Sequence, residues 1–406
     1  MSTIPLMLME NKIIPYGKQN ITEEDIQAVI STLKSDYLTQ GPKIGEFEQA
    51  FAQYVGAEYA VAVANGTAAL HLCTLALGVK QGDKVITTPI TFAASANCVR
   101  YCGGEVVFAD IDPETYLLDI DSVKSLLQAE PKGTYQGIIP VDFGGRAVEL
   151  EEFRKLADEY NLWIIEDACH APGGFFVDST GKKQYCGNGV FADLAIFSFH
   201  PVKHIATGEG GMITTNDEQL YKDLLKLRTH GIVKNENSYT NSKEFANGKD
   251  NSVDYPGWYM EMQALGYNYR LTDFQAALGI SQLQRADERL IKRKMIAANY
   301  NNAFKGKSFI KGQSGIVDGH AYHLYVLEAE NRLGLYNYLK EHNIFAQIHY
   351  IPCHLMPYYR NFGWQEGDMP KSEAYYKNCI SLPMYPTLTK DEQNYVIEKI
   401  NSFYGA

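Results

Sequence analysis

Short apolar runs alternate with amphipathic stretches of helical spacing from Glu46 to about Asn216. A strand-length run followed by a helical stretch is typical of βαβ units. Because the runs are apolar throughout, we expect an α/β fold with a mostly parallel seven-stranded sheet that helices cover on both faces. The predicted strands span residues 59–64, 84–89, 105–111, 137–143, 162–168, 193–199 and 210–216.

The second half of the chain has a different pattern. Residues 235–257 are polar with little periodicity, which indicates a loop or insertion and a candidate lid. Residues 271–304 have a strongly helical pattern, and the tail mixes strand and helix patterns as in an α+β unit. We therefore predict a large domain over residues 1–265, with an N-terminal segment 1–20 and the insertion, and a smaller C-terminal domain over residues 266–406.

Composition excludes several classes of protein. The chain has 406 residues and a net charge of −11, whereas nucleic-acid-binding surfaces need a surplus of Lys and Arg. No apolar run reaches the ~20 residues that span a bilayer, and the N-terminus lacks the features of a signal peptide, so we expect a cytoplasmic protein without a membrane segment. Seven scattered cysteines without a Cys-x-x-Cys pair favour reduced thiols and no metal site.

Residues that could do chemistry follow the predicted strands, where an open α/β sheet binds its ligands. Gly66 and Thr67 open a helix whose free N–H groups can hold a phosphate. Phe92 could stack on a planar ring. Asp167 ends an apolar strand with His170 close behind, and Lys203 follows another. Each has an ordinary structural explanation when taken alone: a tight turn, a core aromatic, a capping carboxylate and a solvated lysine.

The combination of these groups at one sheet edge indicates a specific cofactor. An amine for a covalent link, a carboxylate for a pyridine nitrogen, an aromatic ring behind the cofactor ring and a helix N-terminus for a phosphate are what pyridoxal phosphate (PLP) requires. A nicotinamide cofactor is disfavoured because the chain has no G-x-G-x-x-G fingerprint.

The motifs also resemble a known family. "NGTAAL", "TPITFAASAN", "EDACHAPGG", "SFHPVK" with "TGEGG", "RTHGI" and "GYNYRLTDFQAALG" occur in this order, and together they resemble the DegT-type nucleotide-sugar aminotransferases. The resemblance extends from about Ile14 to the C-terminus. It implies a PLP enzyme of fold type I, with an aspartate-aminotransferase-like fold.

Further motifs narrow the resemblance. "FSFHPVK", "HGIVK", "LGYNYRL" and "QIHYIPCHLMPYY" are most similar to the branch that transfers an amino group from L-glutamate to C4 of a UDP-2-acetamido-2,6-dideoxy-4-keto hexose, on the route to pseudaminic acid. The nucleotide-linked 4-keto sugar and L-glutamate are then the expected substrates.

The resemblance also implies roles for single residues. Lys203 would bond covalently to PLP and carry protons, and Asp167 would pair with the pyridine nitrogen. The other cofactor-binding positions are Gly66, Thr67 and Ser198 at the phosphate, Phe92 and His170 at the ring, and Asn268, which would reach the phosphate from a neighbouring subunit. A homodimer with shared active sites is therefore expected. His323, His349 and Tyr350 would hold the sugar and nucleotide.

Alternatives remain open on the sequence alone. A dehydratase branch of the family has histidine in place of the lysine, and His204 directly follows Lys203. The family spacing Ser-Phe-x-x-x-Lys-x-Ile, filled here by Ser198, Phe199 and Ile205 around Lys203, favours the lysine. Other readings are a PLP-dependent transaminase or dehydratase for another nucleotide-linked keto sugar, or a non-catalytic protein that keeps the PLP fold.

Overall fold

A computed structural model describes residues 12–248, 253–313 and 317–406. Its strands are β1 Ile14–Pro15, β2 Tyr59–Val63, β3 Lys84–Thr87, β4 Glu105–Phe108, β5 Tyr135–Ile139, β6 Trp163–Asp167, β7 Phe175–Val177, β8 Lys183–Tyr185, β9 Leu194–Ser198, β10 Gly211–Thr215, β11 Ile232–Val233, β12 Glu261–Met262, β13 Ile310–Gly312, β14 Tyr325–Ala329, β15 Ile344–Phe345 and β16 Cys379–Leu382.

The helices connect these strands and cover the main sheet. They are α1 Glu23–Leu33, α2 Pro42–Val55, α3 Gly66–Ala76, α4 Ala94–Tyr101, α5 Ile120–Ala129, α6 Leu150–Tyr160, α7 Glu218–Arg228, α8 Lys243–Ala246, α9 Asp273–Leu283, α10 Ala286–Phe304, α11 Arg332–Glu341, α12 Pro357–Arg360, α13 Pro370–Asn378 and α14 Lys390–Tyr404.

The main sheet has seven strands in the order β2-β10-β9-β6-β5-β3-β4. All neighbours pair in parallel except β10, which is antiparallel to both β2 and β9. All seven predicted strands lie in this sheet, so the prediction of an α/β fold with a mostly parallel sheet is confirmed. Parallel strands end at one edge, and this edge carries the candidate chemistry.

The helices that cover the sheet follow the apolar pattern of the sequence. In α6, Leu150, Phe153, Leu156 and Ala157 are buried, and their spacing of three and four residues places them on one face. By contrast, α3 is buried on nearly all sides and contacts α4, α7 and the sheet. Helix α3 is therefore held firmly within the core.

The C-terminal part of the chain forms a second, smaller layer. Strands β13, β14 and β16 make an antiparallel sheet, and α10, α11 and α14 pack with it around a core that includes Tyr300, Leu339 and Val396. The N-terminal strand β1 joins this part, because it pairs in parallel with β15 and buries Ile14 completely. A division between residues 265 and 266 stays a prediction.

The predicted helical stretch 271–304 is two helices, since the chain bends between α9 and α10 at Arg285. The Arg285 Nη2 atom donates a hydrogen bond of 2.6 Å to Asp25, which is fully buried at the start of α1. Asp25 also accepts hydrogen bonds from Ser281 and Gln282, each of 2.6 Å. One carboxylate thus fixes α1 against both α9 and the bend.

The polar stretch 235–257 lies between the short antiparallel pair β11 and β12. The buried Glu261 organises it by accepting hydrogen bonds from the backbone of Thr240 and Asn241, at 2.8 and 2.9 Å. Its use as a lid stays a prediction. Residues 249–252 of the stretch and 1–11 of the predicted N-terminal segment are outside the described residues.

Two further predictions concern the cysteines and membrane-spanning segments. All seven cysteines are free thiols. Within residues 12–248, 253–313 and 317–406, none of the helices combines the length and the apolar character that crossing a bilayer requires.

Candidate active site

The candidate phosphate-binding site lies where β2 leads into α3. Asn65 caps this helix, and its side chain accepts a hydrogen bond of 2.8 Å from the Ala68 N–H. Gly66 stands against Ser198 at the end of β9: a Cβ atom on Gly66 would lie 3.0 Å from Ser198 Cβ and 3.5 Å from Cys169 Sγ. The structure therefore brings Gly66, Thr67 and Ser198 together at a helix N-terminus, which suits a phosphate.

Asp167 is buried at the end of β6 and is held by neutral donors. Ser95 Oγ donates a hydrogen bond of 2.7 Å to Asp167 Oδ2, and the Cys169 N–H donates one of 3.2 Å to Oδ1. Thr91 Oγ1 lies 2.8 Å from Ser95 Oγ and supports it. No ion pair to Asp167 occurs among the described residues, so its carboxylate can serve a cationic ring.

Lys203 follows β9 in a turn, partly enclosed, where its N–H donates to the His200 carbonyl at 2.9 Å. Burial lowers the pKa of its ammonium group, and the nearby Arg293 adds to this, although Cys169 and Asp167 oppose it. The amine is thus shifted toward the neutral form, which can act as a nucleophile or a base.

His170 lies beside this lysine as a buried neutral imidazole. The Gly144 N–H donates to Nδ1 at 3.2 Å, so the ring hydrogen is on Nε2, which faces the Tyr350 hydroxyl at 3.3 Å. Burial and the Lys203 charge hold the pKa of His170 well below its ordinary value. The His323 ring is 4.4 Å away, measured between ring centroids.

The residues predicted for the sugar and nucleotide lie close to this group. His349 Nδ1 is 2.8 Å from Ser381 Oγ, and burial lowers its pKa to about 3. Tyr350 contacts both His170 and Phe92, with a ring distance of 6.4 Å to the latter. Phe92 is 63% exposed and so is free to stack on a ligand rather than being part of the core.

Asn268 is the predicted site residue that the single chain does not bring to the others. Its side chain is exposed, and its backbone forms an isolated bridge with Thr229. Among the hydrogen bonds of the described residues, none joins the Asn268 side chain to the Lys203 group.

Several residues of the site were not identified from the sequence. Ser95 and Thr91 stand four residues apart at the start of α4, a helical spacing whose polar pair was the available signal. Arg293 on α10 is completely buried and donates to the carbonyls of Tyr322 and His323, at 3.2 and 3.1 Å. It thereby holds the turn that carries His323, a role that only the tertiary structure shows.

The residues present fit PLP on this structure's own geometry. The helix N-terminus at Gly66 would suit its phosphate, the buried Asp167 its ring nitrogen and the exposed Phe92 its ring face. The amine of Lys203, with its lowered pKa, would suit its aldehyde. Fold and site together define a PLP enzyme of fold type I.

Comparison with known proteins gives the family. The model of the DegT/DnrJ/EryC1/StrS aminotransferase family matches residues 19–401, and the chain belongs to this family. Aminotransferases of the family use PLP, so the chain is a PLP-dependent sugar aminotransferase that acts on nucleotide-linked keto sugars.

Individual relatives are similar over nearly their whole length. The spore coat polysaccharide biosynthesis protein SpsC of Bacillus subtilis is 40% identical over 96% of this chain and 97% of its own. The UDP-4-amino-4,6-dideoxy-N-acetyl-beta-L-altrosamine transaminase of Campylobacter jejuni is 36% identical, over 97% of this chain and 100% of its own. Among solved structures, Helicobacter pylori PseC, an aminotransferase involved in the biosynthesis of pseudoaminic acid, has a TM-score of 0.84 and 27% identity, over 97% of this chain and 100% of that one.

Proposed function

We propose that this enzyme transfers the amino group of L-glutamate to C4 of a UDP-2-acetamido-2,6-dideoxy-4-keto hexose, a step toward pseudaminic acid. The observation that carries this proposal is the grouping of His323 and Tyr350 against His170 beside Lys203. This grouping supports the proposal, because residues predicted to hold the sugar and nucleotide are then neighbours of the amine that the keto carbon must reach. The names of the Campylobacter and Helicobacter relatives support the same substrate.

In this proposal Lys203 is the catalytic residue. PLP supplies an aldehyde that bonds to amines and a ring that accepts the electron pair released at the reacting carbon. Lys203 holds PLP between turnovers, and its neutral Nζ takes the proton from the donor carbon and returns one during amination of the sugar. The lowered pKa of Lys203 supports this role, because only the unprotonated amine can accept a proton.

The remaining cofactor residues have binding and orienting roles in the proposal. Asp167, held by Ser95, would keep the pyridine nitrogen protonated. Phe92 and His170 would enclose the ring between them. Gly66, Thr67 and Ser198 would bind the phosphate with the N-terminal N–H groups of α3.

We further propose a cytoplasmic homodimer in which Asn268 completes the partner's site. The exposure of Asn268 in the single chain supports this. Mixing Lys203→Ala with Asn268→Ala chains tests it: if sites are shared, each mixed dimer has one intact site, and activity returns to about a quarter of wild type. No recovery on mixing, with exchange of subunits demonstrated, would contradict a shared site.

The substrate is tested by incubating the enzyme with L-glutamate and a panel of UDP- and dTDP-linked 4-keto-6-deoxy sugars. We expect 2-oxoglutarate and a 4-amino sugar from the UDP-linked N-acetyl substrate, identified by mass spectrometry and NMR. A second candidate is amination of another nucleotide-linked keto sugar for a surface polysaccharide, which the 40% identity to the Bacillus protein favours. Turnover of only such a sugar would replace the first proposal.

A further inference from the structure

Two carboxylates and a thiol are buried together next to the cofactor site. Asp142 is completely buried, and Glu166 and Cys186 are each 3% exposed. One oxygen of each carboxylate and the Cys186 sulfur all lie within 4.8 Å of one another. In the described parts of the chain, no Lys, Arg or His side chain forms an ion pair with either carboxylate. The negative charge here is therefore not neutralised by a cation of the chain.

The hydrogen bonds of the pair are also incomplete. The Val148 N–H donates to Asp142 Oδ1 at 2.8 Å, and the Gly187 N–H donates to Glu166 Oε2 at 2.9 Å. Asp142 Oδ2 is buried and has no donor among the described residues. Each carboxylate thus has one backbone donor, and the Cys186 thiol adds only a weak one. Two full negative charges are strongly unfavourable in such a place, since both burial and mutual repulsion oppose ionisation.

A proton held between the two carboxylates removes both difficulties. It reduces the charge of the pair from two to one, and it supplies the hydrogen that Asp142 Oδ2 lacks. The electrostatic surroundings agree with this: burial raises the pKa of Asp142 to about 7, and burial together with Asp142 raises the pKa of Glu166 well above its ordinary value. As an interacting pair, the two groups titrate together.

We propose that Asp142 and Glu166 share one proton, and that this hydrogen-bonded pair positions Asp167 and His170 for the cofactor. The proposal rests on the PLP-dependent class of the enzyme and not on the identity of its sugar. Asp142 and Glu166 are positioning residues in this scheme, because they act on the site through Asp167 and His170.

The backbone shows how the pair acts on the site. The Asp142 N–H donates to the Asp167 carbonyl at 3.0 Å, and the Asp167 N–H donates to the Pro140 carbonyl at 2.9 Å. Two residues further on, the Gly144 N–H holds His170 Nδ1. The segment 140–148 thus fixes both site residues, and the Asp142 side chain ties that segment to Glu166 on β6.

Glu166 and Asp167 are neighbours on β6, and their side chains lie on opposite faces of the sheet. Successive side chains of a strand point to opposite faces, so Glu166 turns to Asp142 while Asp167 turns to Ser95. Gly187 can reach Glu166 because it has no side chain: its φ is +80°, and a Cβ atom there would lie 2.4 Å from the Phe197 ring. The Gly187 N–H thus donates to Glu166 from a position that a larger residue could not occupy.

Infrared spectroscopy of the holoenzyme tests the shared proton without any substrate. We expect wild type at neutral pH to show the carbonyl stretch of a protonated, buried carboxyl group. Asp142→Asn and Glu166→Gln should each lose this band, because the new amide donates to a remaining carboxylate that stays ionised. The matched control Glu366→Gln, at an exposed position, should keep it.

Two outcomes would overturn the shared proton. One is absence of the band in wild type, or its survival in both amide variants. The other is the finding of one bound divalent cation per chain in the purified protein, together with loss of that cation in Asp142→Asn. The cluster would then be a metal site of carboxylate and thiolate ligands.

The positioning role is tested through cofactor binding. Asp142→Ala should weaken PLP affinity by about 10-fold, the order that outer hydrogen-bond partners of a bound group contribute, and should alter the visible spectrum of the bound cofactor. Asp142→Asn should restore both. If Asp142→Ala is not recovered folded, Asp142→Ser replaces it, since a serine can accept from Val148 but cannot span to Glu166. Wild-type affinity and spectrum in the folded Ala or Ser variant would contradict positioning and would leave the proposed substrate untouched.

Discussion

The chemical properties of Lys203 depend on the residues that surround it. A lysine after a strand is usually solvated, but here Cys169, Asp167 and Arg293 act on its charge within a partly enclosed turn. The net effect is a lowered pKa, because loss of hydration outweighs the opposing charges. Burial therefore favours the neutral amine of Lys203, which is the form that can act as a nucleophile or a base.

Lys203→Ala is expected to remove the visible absorption of lysine-bound cofactor and to lower turnover by at least ~10²-fold, since positioned proton transfer alone contributes about 10²–10⁴-fold. Absorption spectra and a coupled assay for 2-oxoglutarate measure the two effects. Lys182→Ala, at an exposed lysine, is the control and should behave as wild type. Full turnover in Lys203→Ala would exclude the proposed role.

Residue types indicated the site but not the contacts within it. The sequence shows that Glu166 and Asp167 end an apolar strand and must find donors. In the structure Ser95 donates to Asp167, and Asp142 lies beside Glu166. Neither partner is close in sequence, so no local pattern could have identified them. Asn268 is the opposite case, because its predicted function needs a second chain.

At the scale of elements, the strand pattern was readily predicted because buried strands are short, apolar and bounded by turns. The direction of β10 was not, since an antiparallel strand buried on both faces has the same composition as a parallel one. Two-residue strands such as β1 and β15 carry no periodicity at all. The bend at Arg285 was missed because both flanking segments have helical patterns.

The start of α3 gives a test of the phosphate site. Gly66→Ala places a Cβ atom against Ser198, which must shift by a few tenths of an ångström. We expect weaker retention of PLP on dialysis and a loss of about 1 kcal/mol in the free energy of unfolding, as for mild overpacking.

Gly45→Ala is the matched control for that variant. Gly45 is exposed within α2 and an added Cβ meets nothing within 4 Å. Replacing a helical glycine by alanine should raise the free energy of unfolding by ~0.5–1 kcal/mol and leave PLP retention unchanged. Equal PLP retention in the two variants would contradict the close approach at Gly66.

The contact between α1 and α9 can be tested with two adjacent residues of α1, the buried Asp25 and the exposed Glu24. Asp25→Ala leaves Arg285, Ser281 and Gln282 without their common acceptor, so we expect a loss of ~3 kcal/mol in the free energy of unfolding, measured in urea. Glu24→Ala removes the exposed partner of Arg285 and should cause no measurable change. Similar losses in both variants would argue against burial as the cause.

For the whole molecule, buried histidines and the buried carboxyl pair have opposite effects on stability. The pKa of His349 is lowered to about 3, so the unfolded chain binds the proton first as pH falls below its ordinary value of ~6.5. This contribution to stability is complete above pH ~6.5 and is lost progressively toward pH 3. Asp142, with its pKa raised to about 7, contributes stability that is lost as pH rises toward that value.

His349→Gln isolates the histidine contribution. Glutamine can keep a hydrogen bond to Ser381 but does not titrate, so we expect the free energy of unfolding to fall less steeply than in wild type between pH 6.5 and 4. Urea denaturation at a series of pH values measures the slopes, with the exposed His200→Gln as the control. Parallel slopes in His349→Gln and wild type would show that this histidine stays solvated.

The pairing of β1 with β15 bears on the order in which the chain can fold. Ile14 leaves the ribosome long before its ladder partner Ile344, because the main sheet and most of its helices lie between them in sequence. Until then an apolar side chain that is fully covered in the finished protein remains uncovered. The C-terminal layer therefore depends on a strand that is synthesised much earlier, and a fragment that lacks β1 would present the unpaired edge of β15 to other molecules.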